Sequence, residues 1–451
     1  MPQEKFHYKS LEEVKQRAAE LGVDLPFAAD THVLAQPLTV RNITFPNRLG
    51  IAPMAGGDST PEGAPTEYTT RRYVNEAIGG SSVIWFEAIS IVEEGRSSKT
   101  QLLLTRDTLD EFKKMTAAVK EAGMKANGYA PYLIMQANHS GRYSNPGNKP
   151  APMIAYRHPI LEQYRAADDS CIVTDDYLKG LEEKFGEAAK LAKEAGFDAV
   201  DIKSCHGYLL AELASAYDRP GEYGGSFENR FRLLKNGIRA AKVYEDDSFM
   251  VTARVGIYDG YAYPWGFGVS PESGTTPDLT EPIRLVRDLH NELGLNMVNL
   301  TMGNPYATTH VTRPFDFGKY EPDEHPFVGL SRMIHGIGAV KEAVPEMTIW
   351  ASAPSYLRAY ADLFTAGAVE QGLCDGMLFG RMAFADPDFA NEIVKNGRID
   401  PKRVCLTCGK CGDLIRAHKP TGCVIRDSKT FMPFYKEFLE IKKTQPANFR
   451  G

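Results

Sequence analysis

The chain has 451 residues, 43% of them hydrophobic, and a formal net charge of −6. That apolar content can bury a large core, and the negative balance excludes bulk affinity for nucleic acid. The amino-terminal stretch MPQEKFHYKSLEEVKQ is polar and no apolar run approaches membrane-spanning length, so the sequence reads as a soluble, cytoplasmic protein with no membrane partner.

Residues 1–40 read as an amino-terminal extension. Leu11, Val14, Ala18 and Leu21 recur at helical spacing, with Ser10 placed to cap the helix and Gly22 to end it. An extended stretch, HVLAQPLTV, leads to Pro46. From residue 41 to 396, short apolar runs alternate with amphipathic stretches. The runs are RLGIAPM, SVIWFEAI, YAPYLIMQA, DAVDIKS, FMVTARVG, NMVNLTMG, MTIWASA and CDGMLFG. Their near-continuous hydrophobicity suits parallel strands buried on both faces. Between two of them, residues 177–195 put Leu181, Phe185, Ala188, Ala189 and Ala192 on one helical face, and Gly196 ends that helix. Eight such alternations predict an α/β fold, a (β/α)8 TIM barrel. A doubly wound sheet would need a Gly-x-Gly-x-x-Gly turn after a strand, and the sequence has none.

Chemistry in such a barrel gathers at the carboxyl ends of the strands. The first strand ends in Pro53, Met54 and Ala55. The third gives Gln136 and NHSGR, with His139 and Arg142. The fourth gives KSCHGYLL, with Lys203, His206 and Tyr208. The fifth gives Arg254 and an aromatic loop, YDGYAYPWGFG. Backbone amides after strands seven and eight are the usual phosphate cradle of this fold, and Ser352, Ala353, Gly380 and Arg381 fit that place.

Residues 397–451 form a small carboxyl-terminal module. It holds four of the chain's seven cysteines. Cys405, Cys408 and Cys411 come in one tight run, and Cys423 follows alone. Structural zinc usually takes two separated Cys-x2-Cys knuckles. Three close thiolates and a distant fourth suit a cubane iron–sulfur cluster better. Disulfides are the third option, disfavoured in a reducing compartment. Cys171, Cys205 and Cys374 read as small buried residues.

The segments PNRLGIAPM, QANHSGR, HGYLLAELASAYDRPGEYGGSFENRFR and GLCDGMLFGRMAFADPDF, followed by the cysteine cluster, resemble the Old Yellow Enzyme superfamily of flavin-dependent oxidoreductases. The likeness is to its iron–sulfur branch, which includes 2,4-dienoyl-CoA reductase and trimethylamine dehydrogenase. It implies FMN at the barrel mouth, one 4Fe-4S cluster on the four cysteines, and NADH or NADPH as reductant. It places Pro53, Met54 and Ala55 beside the flavin, Ala88 offering backbone, Gln136 on the pyrimidine edge and Arg254 near N1 and O2. Tyr208 matches the proton donor that accompanies hydride from flavin N5. The expected partners are a small unsaturated substrate, an external electron donor or acceptor protein, and further copies of the chain. Three departures stand out. Lys203 and His206 occupy positions where the family often has His-x-x-His or His-x-x-Asn. Ala55 replaces a Cys or Thr that tunes the flavin. Ser352 and Ala353 replace the glycines of the phosphate loop. The second nucleotide-binding part of the dienoyl-CoA and trimethylamine enzymes has no counterpart in this sequence.

Each assignment has a plainer competitor. Lys203 can pair with a strand-end carboxylate, His206 can be a satisfied core residue, Tyr208 can merely pack, and Arg254 can fill an ion pair. His139 and Arg142 can brace their loop. The aromatic residues Tyr258, Tyr261, Tyr263, Trp265 and Phe267 can roof a flat substrate or pack on themselves. The leading expectation is an FMN-dependent ene-reductase acting on an α,β-unsaturated carbonyl or enoate. An amine or N-methyl dehydrogenase, or an electron-transfer subunit of a larger complex, are the alternatives.

Overall fold

Eight parallel strands close into a barrel in a computed structural model that describes residues 4–318 and 320–444. A two-stranded hairpin comes first, β1 (Leu38–Val40) and β2 (Ile43–Phe45). The barrel follows as β3 (Leu49–Ile51), β4 (Val83–Ser90), β5 (Tyr132–Asn138), β6 (Ala199–Ser204), β7 (Met250–Gly256), β8 (Met297–Thr301), β9 (Thr348–Ser352) and β10 (Gly376–Phe379), with β10 pairing back onto β3. Each coincides with one of the eight apolar runs. The fold is the expected TIM barrel. β6 is buried along its whole length, which is why its sequence does not alternate.

The outer helices follow the same grammar. Asp175–Glu194 buries Leu181, Phe185, Ala188, Ala189 and Ala192 and stops before Gly196, whose φ of 86° is left-handed. The first helix runs Leu11–Glu20, with the Ser10 hydroxyl accepting from the Glu13 amide at 3.2 Å. The stretch expected to be extended, residues 32–40, is so only in its second part. Residues His32–Ala35 form a 3-10 turn, and Pro37 precedes the short β1. Residues 1–3 of the extension and 445–451 of the carboxyl-terminal module lie outside the described residues.

The hairpin plugs the amino-terminal end of the barrel. Leu38, Val40 and Phe45 pack with Val83, Trp85, Ile134, Met297 and Trp350. Phe45 meets Tyr132 and Trp350 edge to face at 5.3 and 5.7 Å. Phe45→Ala should therefore cost about 3–5 kcal/mol of stability. Urea unfolding would measure it, and a loss below about 1 kcal/mol would show that the hairpin is not part of the core.

Candidate active site

The strand ends meet around one buried carboxylate. Gln136 lies opposite Asp201 across β5–β6, and Lys203 opposite Arg254 across β6–β7. Asp201 accepts from Trp85 Nε1 (2.6 Å), Gln136 Nε2 (2.6 Å) and the Arg254 amide (2.5 Å). Burial raises its pKa, and these donors pull against that. The Gln136 amide group is thereby spent on Asp201, leaving its carbonyl oxygen for a ligand donor. Asp201 was not among the expected site residues. Its signal was an acid within an otherwise buried strand.

Cations face this centre without partners. The Arg254 Nε is buried and unpaired, and burial lowers the pKa of the guanidinium. Lys203 is buried and makes no hydrogen bond or ion pair among the described residues. Its Nζ lies 3.9 Å from the centre of the Tyr208 ring, and burial pulls its pKa down to about 7. The competing ion-pair readings for Lys203 and Arg254 thus find no carboxylate contact.

The turn after β6 is tight. His206 and Gly207 are both left-handed, at φ 67° and 68°. A Cβ at Gly207 would lie 2.0 Å from Asn304 Nδ2, so only glycine fits. The turn brings Tyr208 back over Lys203. Burial, with Arg254, Lys203 and Arg313, drives His206 well below its ordinary pKa, so it is neutral. Burial keeps the Tyr208 proton on its oxygen, which lies 2.9 Å from the Tyr306 hydroxyl. Tyr143 stacks on Tyr306 at 3.6 Å. These two tyrosines were not foreseen. Of the five loop aromatics, Tyr258, Tyr261 and Phe267 are buried in the body of the protein, Trp265 packs beside His158 and Tyr263 is exposed beside Tyr217, so four of the five favour packing over a roof.

A buried clamp holds the β3 end. Arg72 donates to the Met54 carbonyl (3.0 Å), and Glu87 accepts from the Gly56 amide (2.8 Å). Arg72 pairs with Glu87 at 2.6 Å and with Asp58 at 3.3 Å. A trans peptide carries its C=O and N–H on opposite sides. The clamp therefore turns the N–H and C=O of exposed Ala55 away from itself. At β4 the Ala88 carbonyl already accepts from Gln101 Nε2 (2.8 Å), which leaves less backbone there than expected. Past β9, Ala353 keeps the left-handed conformation of a glycine, at φ 74°. Ser352 Oγ accepts from Asn299 Nδ2 (3.0 Å). Gly380 lies against Met54, where a Cβ would sit 2.9 Å from sulfur, and Arg381 donates to the Pro314 carbonyl (2.7 Å).

His139 is a brace: it is fully buried, bonded to the Tyr177 hydroxyl and the Gly141 amide, and driven by burial to about 3. Arg142 is structural, in a buried pair with Glu212.

Cys405, Cys408, Cys411 and Cys423 all line one small cavity beside Arg381 and are free thiols. Among the described residues, no three His, Cys, Asp or Glu side chains are gathered as ligands of a single ion. The Thr407 and Arg426 amides point at Cys405 and Cys423 sulfur, at 3.4 and 3.3 Å. Burial pushes Cys405 up to about 12, against the pull of Arg381. Arg313 acts through its charge both on Cys411 in this cavity and on His206 at the mouth. Its guanidinium makes no hydrogen bond or ion pair among the described residues, and burial together with Arg381 lowers it to about 10. Sequence reading missed it, because nothing local marks an arginine as unpaired. Of the other cysteines, Cys205 and Cys374 are buried and Cys171 only half-buried.

A sequence model of the NADH:flavin oxidoreductase / NADH oxidase family matches residues 33–265. An NADPH dehydrogenase of Bacillus velezensis is 34% identical over 223 residues, 48% of this chain and 62% of that protein. An NADH oxidase of Thermoanaerobacter brockii is 24% identical over 82% of this chain and 52% of its own length. The chain thus spans between half and two thirds of these two relatives. A 2-naphthoyl-CoA reductase structure shares the fold, with TM-score 0.72 and 18% identity over 90% of this chain and 58% of that one.

Behind the clamp, Glu76 is buried with Oε2 unpaired, and burial raises its pKa from 4.5 to about 8 against the pull of Arg72. Folding thus retains a proton that the unfolded chain loses. Stability must fall as pH rises from about 4.5 towards 8. Glu76→Gln should remove that slope. Thermal unfolding at pH 5 and pH 8 should show the variant gaining on the wild type at the higher pH, by about 1.4 kcal/mol per pH unit at most. An equal gap at both would contradict the assignment.

Proposed function

The chain belongs to the NADH:flavin oxidoreductase / NADH oxidase family, and from that premise we propose that it is an FMN-dependent ene-reductase that spends NAD(P)H on an activated C=C bond. The observation that carries this reading is the meeting of Lys203, His206 and Tyr208 at one strand end, with the adjoining acid, Asp201, already holding three donors.

The donor set fits FMN. The unpaired Arg254 Nε suits the electron-rich edge of a reduced flavin, and the Gln136 carbonyl suits a ring N–H. Pro53, Met54 and Ala55 would flank the ring, with Ala88 contributing backbone. Ser352, Ala353, Gly380 and Arg381 would cradle the phosphate. FMN supplies two-electron hydride transfer from NAD(P)H to the alkene β-carbon. The chain's own residues do the rest. Lys203 and neutral His206 hold the carbonyl oxygen, and the ammonium offsets its growing negative charge. Tyr208 delivers the proton to the α-carbon, so that one hydride and one proton saturate the bond. The unpaired cations Lys203, Arg254 and Arg313 disfavour an amine substrate. Tyr208→Phe should slow the alkene half-reaction by about 10²–10⁴-fold and spare reduction by NAD(P)H. Stopped-flow absorbance would resolve the two steps, and wild-type speed in both would remove Tyr208 as the acid.

We also assign a 4Fe-4S cluster to Cys405, Cys408, Cys411 and Cys423. The support is four free thiols facing one cavity, two of them receiving backbone amides, in the spacing of three close cysteines and a distant fourth. Arg313 and Arg381 offset thiolate charge there. Anaerobically prepared protein should carry about four iron and four sulfide per chain, and Cys408→Ser should lose most of both. Stoichiometric zinc with no sulfide would refute the cluster.

A further inference from the structure

A further cation, which the proposed reaction does not use, stands near the mouth. Arg165 follows the short helix Pro159–Glu162, and its backbone is fixed by the Leu161 carbonyl at 2.9 Å. Its half-buried guanidinium makes no hydrogen bond or ion pair among the described residues. Leu161, whose carbonyl holds this backbone, packs with Tyr261 and with Ala307, the residue after Tyr306, and Arg142 donates to the Arg165 carbonyl at 3.5 Å. Burial raises the Tyr306 phenol, and the Tyr208 hydroxyl and then Arg165 pull it back.

Aromatic faces run from Lys203 towards this segment. Tyr208 lies over the Lys203 ammonium, its hydroxyl meets that of Tyr306, and Tyr306 stacks on Tyr143 while remaining 39% exposed. The neighbouring acids are committed elsewhere: Glu212 to Arg142 and Glu162 to Arg157. A flat apolar wall with an unpaired cation at each end matches a ligand of the same form.

We propose that the substrate is an amphipathic acid, with its unsaturated carbonyl seated at Lys203, a flat body against Tyr208 and Tyr306, and a second, anionic group remote from the double bond held by Arg165. This rests on the ene-reductase reading and adds a charge requirement to it. Guanidinium binds carboxylate through paired N–H donors, so replacement by lysine keeps the charge and loses the fork.

The test uses the FMN-loaded full chain with para-carboxybenzylideneacetone and its methyl ester, which share an enone and differ by one negative charge. The acid should exceed the ester in kcat/KM by about tenfold or more, through KM. Arg165→Ala should bring the ratio close to one, and Arg165→Lys should keep part of it. The saturated acid, measured by calorimetry, should lose the same factor in affinity in Arg165→Ala. Equal use of acid and ester, or an unchanged ratio in Arg165→Ala, overturns the inference and leaves the ene-reductase reading standing. If neither compound reoxidises the reduced flavin, that reading falls and the inference with it.

Discussion

Asp201 is a carboxylate withdrawn from water in the middle of β6, and a charge so placed must find its donors within the protein. It finds them on β4, β5 and β7, through Trp85, Gln136 and the Arg254 amide. Those bonds fix the relative heights of the strand ends around the mouth. They also decide which way Gln136 presents its amide. Asp201 is the carboxylate whose field reaches both Lys203 and Arg254, and among the described residues neither cation has an ion-pair partner of its own. The mouth is therefore short of negative charge, which suits anionic ligands.

The cysteine segment is joined to this mouth by direct contacts. Asp316 accepts from the Phe6 amide, Arg358 and the Thr407 hydroxyl, so one buried acid ties the amino-terminal segment, the loop after β9 and the cysteine run together. The Thr421 amide donates to the Gly56 carbonyl at 2.8 Å. Gly56 is the residue whose amide Glu87 holds. The cysteine segment is thus tied by one hydrogen bond to the residue after Ala55, at the strand end proposed to flank the flavin.

Much of this was legible in the sequence. All eight barrel strands could be read because a parallel strand buried on both faces must be apolar throughout, and Gly196 could be read because its helix needs a left-handed stop. The hairpin could not, because strands of three residues beside a proline carry no periodic signal. At the site, Lys203, His206, Tyr208 and Arg254 stood at strand ends and could be named from position. Asp201, Arg313, Arg165 and the Tyr143–Tyr306 stack could not. Their importance lies in which partners they have or lack, a property of the folded chain. The aromatic loop after β7 left two readings open for the same reason: its composition suits a roof as well as packing, and its burial is set by Phe231 and His158 beside it.

The most direct test is anaerobic flavin absorbance of the FMN-loaded protein, titrated first with NADPH or NADH and then with an enone. The account predicts that a nicotinamide bleaches the flavin band, and that one equivalent of enone restores it while one equivalent of saturated ketone forms. A flavin that either nicotinamide reduces, but that no activated alkene reoxidises, would contradict it.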